Sequence, residues 1–336
     1  MVRDDMRPFV SVIMPVRNER KNIKYCIDGF LSQTYPRSRF ELVVADKSDD
    51  GTREVLEEYE YQFPGWLFLY DNPTGKIAEG YNIALSHARG SILNCYIGHA
   101  FPSPDYLEQL VDSLARNDID LVGGRVIPVP ASPNLAAQGI AIALKNRFTI
   151  GLNAFTREKA CPVTSNHWMA VRREIVDCVG EFNTRFPRGE DCDWYERMMA
   201  AGAKTLYDPR IRSFYFPRNT LARQFSIQVT NAWYRMRLFC ATGRGMRFRH
   251  IFPILLLIVW CAVCVLLTNP LGSTVGSAML YGLALTAVSW GASRGNVRLF
   301  PYVLAATFLI HLGHILGMFA GLIVFGMKRL IPISNS

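Results

Sequence analysis

Three carboxylates crowd the start of one predicted helix, in the stretch GEDCDWYERMMAAGAK. Glu190, Asp191 and Asp193 would repel one another there, and such repulsion raises the pKa of at least one carboxyl group towards neutrality. A carboxylate tuned in this way can take a proton from an attacking hydroxyl group, which is general base catalysis. The alternative is structural, because acidic side chains also favour the positive N-terminal end of any helix.

Further polar side chains follow the predicted strands of the chain. Glu19 comes after the first strand, Asp46 ends the second, and His99 comes after the fourth. In parallel sheets, ligands bind at the carboxyl ends of the strands. These residues are therefore the first indication of a binding site.

The elements that carry these residues alternate between strand and helix. Buried strands are predicted at 9–16, 40–48, 65–72 and 91–98. Helices are predicted at 18–33, 49–62 and 75–90. Such alternation is typical of an α/β fold with a mostly parallel sheet, covered on both faces.

Two common nucleotide-binding classes are disfavoured by missing glycine motifs. No GxGxxG follows the first strand, which argues against a dinucleotide-binding fold, and no GxxxxGK[ST] occurs, which argues against an ATPase. The eight cysteines also show no paired framework, as expected for a domain that faces the reducing cytosol.

Charge divides the chain after Asp208. Residues 1–208 hold all 28 acidic residues and 24 of the 37 basic ones, a net charge of −4, and residues 209–336 hold the other 13 basic residues. A segment with only basic charges, such as 209–336, indicates binding to a membrane or to nucleic acid. Long uncharged runs favour membrane lipids over nucleic acid and predict about three spans. The runs are Ile251–Thr268, Thr274–Ser293 and Leu299–Phe325.

The basic residues also predict an orientation. Nine arginines lie between Arg210 and Arg249, so the positive-inside rule places the first domain in the cytoplasm, on a multi-pass protein of the inner or plasma membrane. Lys328 and Arg329 conflict with this rule if all three runs span the membrane. Apolar residues at helical spacing from 221 to 236 predict an interfacial helix. The predicted organisation is a domain at 1–215, a basic amphipathic segment at 216–250 and a membrane region at 251–336.

Four segments, in order, resemble family 2 glycosyltransferases, which have the GT-A nucleotide-sugar fold. The segments are SVIMPVRNE at 11–19, VVADKSDDGT at 43–52, GKIAEGYNIALSHARG at 75–90 and GEDCDWYERMMAAGAKTLYDP at 189–209. One such segment is weak support, whereas four in register are strong. The tail HLGHILGMFAGLI, which begins at His311, further resembles the membrane-anchored exopolysaccharide transferases of the succinoglycan type.

The resemblance implies roles for the acids and for a second polar segment. Asp191 is the expected general base of an inverting transfer, with Glu190 as its catalytic neighbour. His167 and Trp168 lie where family members recognise the sugar and the acceptor. Trp168 could stack on a sugar ring or pack in the core, and the sequence does not separate these roles.

The resemblance also implies a donor site formed by Pro15, Glu19, Asp46 and Lys76. Asp46 would accept the N–H of a uracil ring, Glu19 would hold the same end of the nucleotide, and Lys76 would meet the diphosphate. The alternatives to these donor-binding roles are a turn residue for Asp46 and a solvated surface lysine for Lys76.

The family's metal-binding turn is altered in this chain. The motif Asp-Ala-His-Ala aligns on Ile97-Gly98-His99-Ala100, so Ile97 replaces the first carboxylate. His99 is the expected metal ligand, with diphosphate oxygens and water completing the shell of a divalent Mn²⁺ or Mg²⁺ ion. The alternative is a structural histidine beside a weakened site.

The sequence therefore predicts an inverting glycosyltransferase. It would move a single sugar from a nucleotide donor, expected to be a UDP-sugar, to a lipid-linked saccharide in exopolysaccharide or cell-surface glycan synthesis. Single addition is expected because the Gln-x-x-Arg-Trp pattern of processive members is missing. The alternatives are a polyprenyl-phosphate glycosyltransferase, whose ionised acceptor needs no base, and a degenerate binding or scaffold protein, which Ile97 suggests.

Overall fold

The computed structural model describes residues 6–116, 119–163, 167–247, 250, 251, 255, 259 and 270–326. The chain divides into two compact units. The first comprises Met1–Ile127 and Asn153–Phe216, and the second comprises Pro128–Leu152 and Pro217–Ser336. This division differs from the predicted one, because the segment Pro128–Leu152 leaves the α/β unit. Its helix is almost wholly apolar and packs among the C-terminal helices.

An eight-stranded sheet forms the centre of the first unit. Its strands are β1 (Val10–Val16), β2 (Phe40–Asp46), β3 (Leu67–Asp71), β4 (Ile92–Cys95), β5 (Ala100–Pro102), β6 (Leu121–Pro128), β7 (Ala170–Arg172) and β8 (Thr205–Tyr215). The order is β3-β2-β1-β4-β7-β6-β8-β5. The four strands predicted from the sequence form the parallel half, and β7 pairs antiparallel with β4 and with β6.

Helices cover both faces of this sheet. They are α1 (Ile23–Leu31), α2 (Thr52–Gln62), α3 (Ile77–His87), α4 (Tyr106–Arg116), α7 (Arg173–Val179) and α8 (Glu190–Ala200). Because side chains alternate along a strand, β1 contributes side chains to the hydrophobic core on each face of the sheet. Val12 and Met14 pack with Phe30 on one face, whereas Ile13 packs with Tyr81 on the other, and both faces are closed to water.

The second unit consists of helices. They are α5 (Leu135–Leu144), α6 (Arg147–Ile150), α9 (Leu221–Thr242), α10 (Pro270–Ala292) and α11 (Phe300–Gly321), with a π-helical turn at Leu322–Gly326. The predicted interfacial helix corresponds to α9. Part of its apolar face lies against α11, where Met236 and Ala232 pack with Met318. His311 ties three helices together, because its ring nitrogens lie 2.9 Å from the Tyr281 hydroxyl and 3.0 Å from the Phe148 carbonyl oxygen.

Two helices of this unit are long and apolar enough to cross a membrane. Thr274–Ala292 has a mean hydropathy of 1.3 and Phe300–Gly326 a mean hydropathy of 2.1. Most side chains of both stretches stay outside the core of the unit; Leu280, for example, is 70% exposed. These stretches correspond to the second and third predicted runs. Most residues of the first predicted run, Ile251–Thr268, lie outside the described part of the chain.

Close packing of α9 on α11 yields a stability prediction. A Cβ on Gly317 would stand 2.2 Å from the Val229 carbonyl oxygen, whereas a Cβ on Gly276 of α10 would meet nothing within 4 Å. Gly317→Ala must therefore push the helices apart, at a cost of about 1–3 kcal/mol. We expect a lower melting temperature for full-length Gly317→Ala in detergent and little change for Gly276→Ala. Equal melting temperatures would contradict this packing.

Candidate active site

A pocket in the first unit collects residues from α3, β4 and α8. It holds about 520 Å³ of empty space, part of it open to solvent. Its lining is Ile77, Tyr81, Cys95, Ile97, His167, Trp168, Met169, Phe182, Glu190 and Asp191. Four of the predicted site residues therefore meet at one cavity, although they come from two distant segments of the chain.

The start of α8 separates the three predicted acids by function. Gly189 has a φ of +81°, a left-handed conformation that suits glycine and begins the helix abruptly. Glu190 and Asp191 then line the pocket in the first turn. Asp193 lies 3.0 Å from the guanidinium of Arg197 and is buried. Asp193 thus serves the structure of the helix, and the two acids before it face the cavity.

Glu190 has a raised pKa. Burial, together with the negative charge of Asp191, raises the pKa of Glu190 from 4.5 to about 8. Its Oε2 atom is buried and accepts no hydrogen bond from any residue that the structure describes. The sequence predicted a raised pKa from repulsion between acids; the structure gives burial as the larger cause. The raised pKa favours the protonated form of Glu190, which can donate a hydrogen bond into the pocket.

A stack of aromatic rings holds these acids in place. Tyr81 lies on Phe182 with ring centroids 4.6 Å apart, and Phe182 lies on Trp194 at 4.0 Å. The Trp194 indole N–H donates to the Gly180 carbonyl oxygen at 2.8 Å. Sequence analysis missed Tyr81 and Phe182. Tyr81 lies in a segment that was recognised, whereas no sequence signal singled out Phe182.

Trp168 both packs in the core and lines the pocket. Its φ of +47° is unusual for a residue with a bulky side chain. The indole ring lies 5.6 Å from the ring of Tyr96 and 5.8 Å from the ring of Tyr215. Next to it, His167 is exposed and lies 5.5 Å from Phe155. Trp168 can therefore pack in the core and also present its ring to a sugar in the pocket.

Asp46 lies at the predicted strand end, but its carboxylate is closed off. The side chain has no exposed surface, and it accepts hydrogen bonds from the hydroxyl and the backbone N–H of Ser48 at 2.6 and 3.2 Å. Arg53 lies 3.8 Å away. A nucleobase would reach this carboxylate only after Ser48 turned aside. Pro15 is partly buried and pairs with Ala45 in the register of β1 and β2.

Cations gather at the same edge of the sheet. Lys76 precedes α3, is 54% exposed and lies 2.8 Å from the carboxylate of Glu79. Nη1 of Arg17 and Cγ of Lys47 lie 3.2 and 3.1 Å from the point where a Cβ on Gly75 would stand. Arg17 and Lys47 lie within the segments SVIMPVRNE and VVADKSDDGT, and the sequence alone gave neither of them a role. Their proximity to Lys76 makes this edge attractive to a phosphate group.

His99 is paired with Glu19. Nδ1 of His99 lies 2.7 Å from Oε1 of Glu19, and Oε2 of Glu19 accepts a hydrogen bond from the Asn22 amide at 3.0 Å. Gly98 makes this approach possible, because a Cβ there would stand 3.0 Å from Cγ of Glu19. Within the described ranges, no three His, Cys, Asp or Glu side chains come together as a metal site. His99 can thus offer a cation one ring nitrogen, Nε2, and the remaining ligands must come from elsewhere.

Residues 11–180 match the model of the family described as Glycosyl transferase family 2. The chain belongs to this family. It is 31% identical over 198 residues to the glycosyltransferase AglE of Haloferax volcanii, a match that covers 58% of this chain and 62% of AglE. It is also 22% identical to the succinoglycan biosynthesis protein ExoA of Rhizobium meliloti, over 94% of this chain and 95% of ExoA.

Solved structures of glycosyltransferases share the fold. The mannosyltransferase PcManGT of Pyrobaculum calidifontis, solved with GDP-mannose and Mn²⁺, has a TM-score of 0.61 at 21% identity, over 91% of this chain and 88% of PcManGT. S. aureus TarS with UDP-GlcNAc has a TM-score of 0.51 at 14% identity, over 93% of this chain and 91% of that one. These likenesses confirm the predicted GT-A α/β fold.

The raised pKa of Glu190 yields a prediction for this glycosyltransferase. Between pH 4.5 and about 8 the carboxyl group of Glu190 loses its proton in the unfolded chain but keeps it in the native state. The contribution of Glu190 to the free energy of unfolding is therefore fully present below about pH 4.5 and is lost as the pH rises to about 8. Glu190→Gln cannot ionise. Its melting temperature relative to wild type should therefore rise from pH 5 to pH 8. A pH-independent difference between Glu190→Gln and wild type would contradict the assignment.

Proposed function

We propose that this family 2 member is an inverting glycosyltransferase that adds one sugar to a lipid-linked saccharide. The observation that carries the proposal is a pocket lined by two adjacent acids, Glu190 and Asp191, where burial raises the pKa of Glu190. Two carboxyl groups in different protonation states can divide the tasks of donating and accepting a proton or hydrogen bond.

The proposed reaction is an in-line displacement at the anomeric carbon. The acceptor hydroxyl oxygen forms the new bond to this carbon as the bond to the donor phosphate oxygen breaks. Asp191 takes the hydroxyl proton, and the nucleoside diphosphate leaves with the electron pair of the broken bond. A general base of this kind contributes about 10²–10⁴-fold to the rate.

The other pocket residues would bind and orient the sugar. Protonated Glu190 can donate a hydrogen bond to a sugar hydroxyl, which also satisfies its own buried carboxyl group. Trp168 presents an apolar ring to the pocket, suited to the C–H face of a sugar, and His167 lies at the exposed side. The apolar wall formed by Ile97, Met169 and Phe182 limits water around the reacting atoms.

The donor is proposed to be a nucleoside diphosphate sugar, with UDP-sugars as the first candidates. The likeness to structures solved with UDP-GlcNAc and with GDP-mannose supports this class of donor. Pro15 and Asp46 lie at the strand ends where the nucleoside would bind, and Lys76 with Arg17 would receive the diphosphate. A divalent cation held by His99 would neutralise the leaving diphosphate, which fits the Mn²⁺ in the PcManGT complex.

The acceptor is proposed to be embedded in the inner or plasma membrane. Two relatives support a lipid-linked saccharide: ExoA is named for succinoglycan biosynthesis, and the Methanococcus voltae relative, 25% identical over 222 residues, is named as a dolichyl-linked sugar transferase. The apolar stretches Thr274–Ala292 and Phe300–Gly326 would anchor the chain as a multi-pass protein. The basic residues before them favour a catalytic unit on the cytoplasmic side.

Loss of the base tests the proposed chemistry. Asp191→Asn keeps the shape of the side chain but cannot accept the proton, so turnover should fall by about 10²-fold or more. Nucleotide binding, measured by calorimetry, should stay unchanged because the residue faces the acceptor. Asp177→Asn, on the exposed side of α7, is the control. Near-normal turnover of Asp191→Asn would contradict the role of Asp191 as general base. It would favour a polyprenyl-phosphate acceptor, which is already ionised.

Removal of the metal ligand tests the proposed cation. Transfer should vanish in excess chelator and return with Mn²⁺ more than with Mg²⁺, since an imidazole nitrogen suits the softer ion. His99→Ala should lose most activity together with its response to metal, and His99→Asp should shift the preference towards Mg²⁺. Full activity in chelator, unchanged in His99→Ala, would show that the basic edge alone neutralises the diphosphate.

A further inference from the structure

Glu19 and His99 are brought together by two neighbouring parallel strands of the sheet. Glu19 follows β1 and His99 follows β4, and these strands pair side by side. Oε1 of Glu19 lies 2.7 Å from Nδ1 of His99, and Oε2 accepts the Asn22 amide. The backbone N–H of Glu19 donates to the Thr52 hydroxyl at 2.9 Å. The carboxylate is therefore fixed from several sides before it meets the ring.

The contact determines which ring nitrogen is available to a ligand. A carboxylate on one nitrogen of a neutral imidazole holds the proton there and leaves a lone pair on the other. Both side chains are mostly buried, with 14% of Glu19 and 23% of His99 exposed. The ring of Tyr215 lies 5.6 Å from the His99 ring and restricts its rotation. In the described part of the chain, the side-chain hydrogen bond of His99 uses Nδ1 and none reaches Nε2.

We infer that Glu19 is a positioning residue that orients His99 and presents its Nε2 atom to a divalent cation bound together with the donor diphosphate. The inference rests on the proposed function, in which His99 ligates that cation. Ile97 and Gly98 offer no ligating side chain, so His99 is the sole ligand that this turn can supply. A site with one protein ligand depends strongly on how that ligand is oriented.

This role differs from direct contact with the nucleotide, which the family resemblance implied for Glu19. Oε1 is engaged by His99 and Oε2 by Asn22. A nucleotide that bound to either oxygen would have to share it with His99 or Asn22. The two roles separate experimentally, because a positioning residue affects nucleotide binding only when metal is present.

The test uses the full-length protein in detergent and measures bound Mn²⁺ by electron paramagnetic resonance, with UDP and with GDP. Glu19→Gln removes the charge that holds the proton on Nδ1, so Mn²⁺ affinity should fall by about 10–100-fold. His99→Ala should abolish nucleotide-dependent Mn²⁺ binding. Glu58→Gln, an exposed carboxylate on α2, is the matched control and should bind as wild type does. Nucleotide affinity in EDTA should be the same for Glu19→Gln and wild type.

Several outcomes would overturn the inference. Unchanged Mn²⁺ affinity in Glu19→Gln would do so, and so would weaker nucleotide binding in EDTA, which would show direct contact. Absence of Mn²⁺ binding to wild type with either nucleotide would also overturn it. In that case, sugar transfer measured in EDTA would show that the proposed transferase function still holds without the cation. If Glu19→Gln melts at a lower temperature, Asn22→Ala serves instead; it releases Oε2 without removing a helix-capping bond and should weaken Mn²⁺ binding in the same direction.

Discussion

Burial of one carboxyl group beside another is the constraint on which the proposed active site depends. A buried carboxylate is costly, and a second negative charge nearby makes ionisation harder still. Burial accordingly raises the pKa of Glu190, and in the proposed mechanism the neighbouring Asp191 accepts the proton. The arrangement requires that α8 begin at a fixed point. Trp194 and the Asp193–Arg197 pair anchor that helix to the preceding loop, and Phe182 of the same loop closes the floor of the pocket.

The opposite end of the site depends on the parallel sheet. β1, β2 and β4 end at one edge, so residues far apart in sequence meet there, as Glu19 and His99 do across 80 positions. The same edge gathers Arg17, Lys47 and Lys76. The family resemblance implies a carboxylate at the position of Ile97, and under the proposed function its replacement makes the site depend more on the His99 imidazole and on these cations. The sheet edge would thus bind charge, while the α8 pocket would carry out proton transfer.

The sequence predicted the parallel half of the sheet because its strands are continuous β-branched runs, each followed by a helix of clear period. It did not predict the other four strands. Two of these, β5 and β7, have three residues each, and no period can be read from so few. The apolar segment containing α5 was assigned to the soluble domain because its neighbours in sequence belong there. Asp191 and His99 could be proposed from their motifs. The burial that raises the pKa of Glu190 and the contact between Glu19 and His99 both depend on side chains far away in the sequence. A pattern along one segment does not reveal such contacts.

The central claim is that the α8 pocket transfers a sugar from a nucleotide donor with inversion. The most direct measurement incubates the full-length protein with membrane lipid extract and a panel of UDP- and GDP-sugars, follows nucleotide release, and determines the anomeric configuration of the product by NMR. The account predicts acceptor-dependent release of a nucleoside diphosphate from one donor, with the linkage opposite in configuration to the donor bond. Release from no donor in the panel, or a product that retains the donor configuration, would contradict it.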